Sequence, residues 1–143
     1  LVEWRPTCPA VATVVGGGCP GLAQPLVLSA SELPWIGTVF TGSAAGFGTG
    51  AMAASIFGIA SPQVPLMSWT QLAGPGCLLM ASLDCVSLAP VMAGLARSTL
   101  TIPNAAVFTG LDLYHQFVQL EPGSASGASV SASNGLRLHI GSY

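Results

Sequence analysis

The sequence contains no lysine. Its basic residues are Arg5, Arg97 and Arg137, and its acids are Glu3, Glu32, Asp84, Asp112 and Glu121. Charged residues make up 6% of the chain, against about 25% in ordinary globular domains. From Leu33 to Leu83 there is no charge at all. Nucleic-acid binding needs a basic footprint, and three scattered arginines cannot supply one. Recruitment to an anionic membrane surface fails for the same reason.

Catalytic and metal-binding signatures are missing too. There is no G-x-S-x-G elbow to present a serine nucleophile. The four cysteines form no C-x-x-C pair, and the two histidines, His115 and His139, lie far apart, so zinc spacings are absent. Five dispersed acids do not suggest a calcium cage. Asp84 and Asp112 read as turn-capping or backbone-bonding acids rather than as a paired acid and base. His115 and His139 read as ordinary strand histidines. "GGG" at 16–18 and "GFGTG" at 46–50 do not lead into a capped helix with a following Lys, so they read as connections, not phosphate loops. The expectation is a protein that is not an enzyme and takes no cofactor or metal.

Long helices and a membrane span are also unexpected. Eleven prolines and 18 glycines interrupt the chain, and few gaps between them could hold a capped helix. The most apolar stretch, "TGSAAGFGTGAMAASIFGIA" at 41–60, is long enough to span a bilayer. It is rich in Gly, Ser and Thr and lacks basic flanks, so no transmembrane segment is expected. No secretory leader is visible at the start, "LVEWRPTCPA", which fits a mature, processed chain.

What is present is apolar and strand-like. Hydrophobic residues reach 51%, in short runs bounded by Gly, Pro, Asn or Ser. The runs predict strands at Ala10–Val15, Leu26–Ser29, Gly37–Gly42, Met52–Ile59, Leu66–Trp69, Cys77–Ala81, Leu95–Ile102, Leu113–Glu121, Ala128–Ala132 and Leu136–Ile140. Alternation in "LDLYHQFVQLE" places Leu111, Leu113, His115, Phe117 and Gln119 on one face. Asp112, Tyr114, Gln116, Val118 and Leu120 take the other. Asn134-Gly135 carries a strong hairpin signal. After it, Leu136, Leu138 and Ile140 point one way, Arg137 and His139 the other. Ala51–Ile59 and Val86–Ala96 are the two places where a short helix is plausible. The fold class expected is all-β, an antiparallel β-sandwich with little helix.

The even count of cysteines, Cys8, Cys19, Cys77 and Cys85, favours two disulfides in an exported protein over four buried thiols. Trp4, Trp35, Trp69, Tyr114 and Tyr143 either fill the core or form a sugar-stacking platform, with Trp35 the best exposed candidate.

From Gly18 onward the chain resembles a β-rich module found at the C-termini of secreted proteins of planctomycetes and some myxobacteria. The pieces that carry the resemblance are "GCPG" at 18–21, "SASELPWIGTVF" at 29–40, "GPGCLLMASLD" at 74–84, "LTIPN" at 100–104, "LDLYHQFVQLEPG" at 111–123 and "SNGLRLHIG" at 133–141. The resemblance implies an exported β-sandwich and no particular activity. It also implies a Cys19–Cys77 bridge, since these are the two cysteines typical of the pattern. That pairing leaves Cys8 with Cys85; the short-loop rival is Cys8–Cys19 with Cys77–Cys85. Two departures are expected: the chain is the module alone, and Cys8 and Cys85 are additional.

The chain therefore divides into a segment at 1–17, an N-terminal extension or exchanged strand, and a sandwich domain at 18–143. Ala10, Val11, Ala12, Thr13, Val14 and Val15 form an uncharged, β-branched strand. Gly16, Gly17 and Gly18 form a hinge that permits a sharp departure. Three outcomes stay open for the strand: donation to a neighbouring copy, pairing within its own domain, or disorder. The expected function is an extracellular or cell-surface structural subunit that polymerises with copies of itself into a filament or layer. The alternatives are a module that binds glycans or other surface proteins, and an accessory subunit of an exported complex.

Overall fold

A computed structural model of the chain describes residues 8–19, 24–123 and 127–143. All its ladders are antiparallel, and two three-residue 3-10 turns are the only helical segments among the described residues. The strands are β1 (Val11–Val15), β2 (Val27–Glu32), β3 (Val39–Ala45), β4 (Met52–Gly58), β5 (Val64–Pro65), β6 (Leu78–Leu79), β7 (Cys85–Ala89), β8 (Leu95–Thr101), β9 (Asp112–Pro122), β10 (Ala128–Ala132) and β11 (Gly135–His139). The large sheet runs β1-β11-β9-β4-β7, with β10 also paired to β9. A smaller sheet, β2-β3-β8, packs across one of its faces, and β5-β6 form a two-stranded ladder.

The alternation of β9 sets the layers. Its Phe117 joins Phe40 of β3, Phe57 of β4, and Leu136 and Leu138 of β11 in the core between the two sheets. Its opposite face, through Tyr114 and Val118, packs on a second core of Ile56, Leu66, Ala73, Leu79 and Ala81. The central strands β4 and β9 are thus covered on both faces. In the second core Cys19 and Cys77 form a disulfide, with Cα atoms 4.9 Å apart. Closing a 58-residue separation stabilises by about 4 kcal/mol in the chain-entropy account.

Two polar ties join the sheets. Nε2 of His115 on β9 accepts from the Ser98 hydroxyl on β8 at 2.6 Å. The amide of Asn134 pairs with the Leu28 backbone of β2: Leu28 N–H donates to Oδ1 at 2.8 Å, and Nδ2 donates to the Leu28 carbonyl at 2.9 Å. A side chain here completes the bonding that a neighbouring strand would supply.

Three expectations about local structure change, and the strand expected at Met52–Ile59 is kept. Asn134-Gly135 is not a hairpin turn. β10 and β11 both pair with β9 and run in one direction, and the register slips by one residue between Ala132↔Val118 and Leu136↔His115. The pair is a bulge, held because Asn134 is committed to Leu28. Val86–Ala96 is no helix: Cys85–Ala89 is a strand beside β4. Met52–Gly58 is likewise strand, which settles the other helical possibility. Leu66–Trp69 is no strand, since Leu66–Ser68 forms a 3-10 turn after Pro65.

Candidate functional site

Two edges dominate the exterior of the large sheet. β1 pairs with β11 from Val11↔His139 to Val15↔Gly135, and among the described residues nothing pairs with its other side. Among the described residues β7 pairs only with β4 and ends the sheet opposite. Neither strand carries a charge. Val11 and Val14 are exposed on β1, Val14 at 61%; Val86 and Leu88 are exposed on β7, Leu88 at 73%. The small sheet differs, because its edge strands β2 and β8 carry the exposed charges Glu32 and Arg97. Charge is one of the common devices that keep a sheet edge from recruiting another strand.

The segment Ala10 to Val15 thus lies against its own chain's β11. Val14, Gly16, Gly17, Leu26, Leu28 and Asn134 help line an apolar groove of about 590 Å³ beside the end of β1. Gly16 has φ +66°, and a Cβ on it would fall 2.8 Å from the Met80 methyl. Gly17 is unobstructed. A Cβ on Gly18 would fall 2.4 Å from the Ala132 carbonyl oxygen, so this end of the triplet is packed on the bulge rather than free to swing.

The structure bridges Cys19 to Cys77, the pairing implied by the resemblance, but not Cys8 to Cys85. Cys8 precedes β1 and Cys85 begins β7, at opposite edges of the sheet. Four strand spacings separate those edges, about 19 Å, whereas a disulfide spans Cα atoms no more than about 7 Å apart. A bridge within one chain is therefore excluded by the topology.

The buried polar centre is the Ser98–His115 pair. His115 Nδ1 lies 2.8 Å from the Ile56 carbonyl, which can only accept, so the ring proton sits on Nδ1 and Nε2 accepts from Ser98. The ring stacks on Phe57 at 3.9 Å. Burial pushes its pKa down to about 4, only partly opposed by the Ile56 carbonyl, so the ring is neutral at pH 7. Gly42 makes the room: a Cβ there would stand 2.6 Å from the Ser98 hydroxyl. Both residues are buried, and Nδ1 faces a backbone carbonyl rather than a carboxylate, so the pair ties the two sheets together.

Of the aromatic candidates, Trp35 is half-buried and stacks on Tyr143 at 4.3 Å. Tyr114 is half-buried against the second core, Trp69 is exposed, and Trp4 lies outside the described residues. Among the described residues no group of three His, Cys, Asp or Glu is placed to hold a metal ion. No helix among them is long and apolar enough to cross a membrane. The β7 edge escaped the sequence reading. "CVSLA" has apolar residues on a face that stays exposed, so the cue was the absence of charge rather than alternation. No known protein family, curated protein or solved structure matches the chain.

Proposed function

We propose that this chain is an extracellular structural subunit whose copies join at the edges of the large sheet to build a filament or surface layer. The observation that carries the reading is the pair of uncharged edges, with Val11 and Val14 exposed on one and Val86 and Leu88 on the other. A disulfide in the core fits an oxidising compartment. Four antiparallel steps separate β1 from β7, so the two strands run in the same direction. A junction between β1 of one copy and β7 of the next is therefore parallel and head-to-tail. Such a contact leaves the same two edges free at the ends of the assembly and does not close on itself. In the exchanged variant of the reading, Ala10 to Val15 seats on the neighbour's β11 in the register it holds on its own, with Gly16–Gly18 as the connection.

The test is the association state of the Val14→Lys and Leu88→Lys variants, by sedimentation and negative-stain microscopy. Unsubstituted chains assemble with rising concentration, and each lysine weakens assembly by at least about tenfold through an unpaired charge at the junction. Assembly that survives Leu88→Lys but not Val14→Lys indicates strand exchange. A chain that stays monomeric at high concentration overturns both forms. A second reading, a glycan- or protein-binding module, is favoured by the Trp35–Tyr143 stack, with Tyr143 79% exposed. It expects that monomer.

A further inference from the structure

The approach to β1 places a thiol beside an imidazole. The Ser142 N–H donates to the Cys8 carbonyl at 2.8 Å. Gly141 lies so close that a Cβ on it would stand 2.5 Å from the same carbonyl oxygen. Held there, Cys8 Sγ is 3.5 Å from Nε2 of His139. The other ring nitrogen, Nδ1, is 2.8 Å from Oδ1 of Asp112, the cross-strand partner of His139. Arg137 donates to Oδ2 of Asp112 at 2.7 Å. A carboxylate only accepts, so the proton of the neutral ring sits on Nδ1, leaving Nε2 to accept from the thiol. The Arg137 guanidinium holds the Asp112 carboxyl below the usual carboxylate range, so the acid behind the ring is charged at neutral pH. All three groups are reachable: Cys8 is half-buried, and the His139 and Asp112 side chains are 36% and 28% exposed.

We propose that Cys8, His139 and Asp112 form a reactive-thiol site that exchanges with small disulfides. A nucleophile, a base and a group that orients the base lie in one hydrogen-bonded line. His139 Nε2 takes the thiol proton, and the Cys8 sulfur attacks one sulfur of R–S–S–R. A Cys8–S–S–R bond forms as the original S–S bond breaks, and its electron pair leaves with the second sulfur. That thiolate takes the proton back from His139 and departs as RSH. Cys8 is oxidised, the departing half is reduced, and no outside oxidant is needed. Asp112 stabilises the imidazolium that exists between the two proton transfers. Exchange asks only for access and a proton acceptor, with no pocket for an oxyanion, which is why this chemistry is chosen over acyl transfer.

Cys85 supplies the internal control, being a free thiol that is more exposed and has no side-chain partner among the described residues. The chain, with Cys19–Cys77 intact and the other two cysteines reduced, is mixed with glutathione disulfide. Mixed disulfides at each thiol are then timed by peptide mass. Cys8 should react at least about tenfold faster than Cys85, a modest share of what a positioned general base supplies. His139→Gln should bring Cys8 down to the Cys85 rate, and Asp112→Asn should fall between, with Cys85 itself unchanged in both. Cys8 reacting no faster than Cys85 in the unsubstituted chain overturns the proposal, and that comparison needs no variant to fold. A Cys8 rate unmoved by His139→Gln, with Cys85 also unmoved, overturns it equally.

Discussion

The chain has two histidines, and their surroundings are alike on paper and opposite in consequence. Each ring faces an S–H or O–H group through Nε2 and an oxygen through Nδ1. For His115 those partners are a buried serine and a backbone carbonyl. For His139 they are a half-buried cysteine and a carboxylate. A carbonyl fixes the tautomer but offers a developing imidazolium only a dipole, in a site that already disfavours charge. A carboxylate fixes the same tautomer and welcomes the charge. The hydrogen-bond pattern alone therefore says little about chemistry; burial, and the charge of the group behind the ring, decide it.

The largest expected break in this comparison is His115→Ala. It removes a fully buried ring stacked on Phe57 and strands the Ser98 hydroxyl between the sheets. A loss of about 4 kcal/mol is expected, in the range for aromatic-to-alanine changes in cores. His139→Ala, at the half-exposed ring, should cost a small fraction of that. Urea denaturation of the two variants side by side measures the contrast; equal losses would remove the distinction.

Next in size is a dependence of stability on pH. The unfolded His115 ring takes up a proton near its ordinary value of 6.5, and the folded ring only near about 4. The unfolded state therefore binds more protons between those values, and stability falls as the pH drops through that window. It is fully present above about pH 6.5, and the loss amounts to about 3 kcal/mol by pH 4. Denaturation midpoints across pH 4–7 should show this slope, and His115→Phe should flatten it. An unchanged slope in that variant would assign the dependence to another group.

The smallest effect sharpens the comparison. Ser98→Ala leaves His115 Nε2 without its donor inside the core, at a cost of about 1–2 kcal/mol. The ring loses a hydrogen bond but keeps its Phe57 stack, so the loss should stay well short of that for His115→Ala. A Ser98→Ala variant as unstable as His115→Ala would mean that the hydroxyl, not the ring, holds the sheets together.

What could be read in advance follows from how local each cause is. Alternation separates the two faces of β9, because a side chain's face depends only on its parity along the strand. It also places Arg137 and His139 together on β11. Residues 128–132 read as a strand and are one. Reading fails where a distant group decides. Asn134-Gly135 carries the strongest turn signal in the chain, yet the Asn134 amide is claimed by Leu28, 106 positions away. The β7 strand is a single short alternation, Val86 and Leu88 against Cys85, Ser87 and Ala89, whose apolar face meets solvent rather than the core. The line from Cys8 through His139 to Asp112 depends on the β9–β11 register and the bridge to Ser142, which residue spacing does not encode.

The disulfide described in the second core also works as an anchor point for the N-terminal segment. If β1 leaves β11, the chain remains fastened at Cys19, and residues 8–18 become a leash. Fully extended, that leash reaches at most about 40 Å. A domain of this length has a radius of gyration of about 15 Å, so the leash spans roughly one molecular diameter. A released strand can therefore find the copy that touches its own and none farther away. Any exchanged assembly must grow through immediate neighbours, one step at a time.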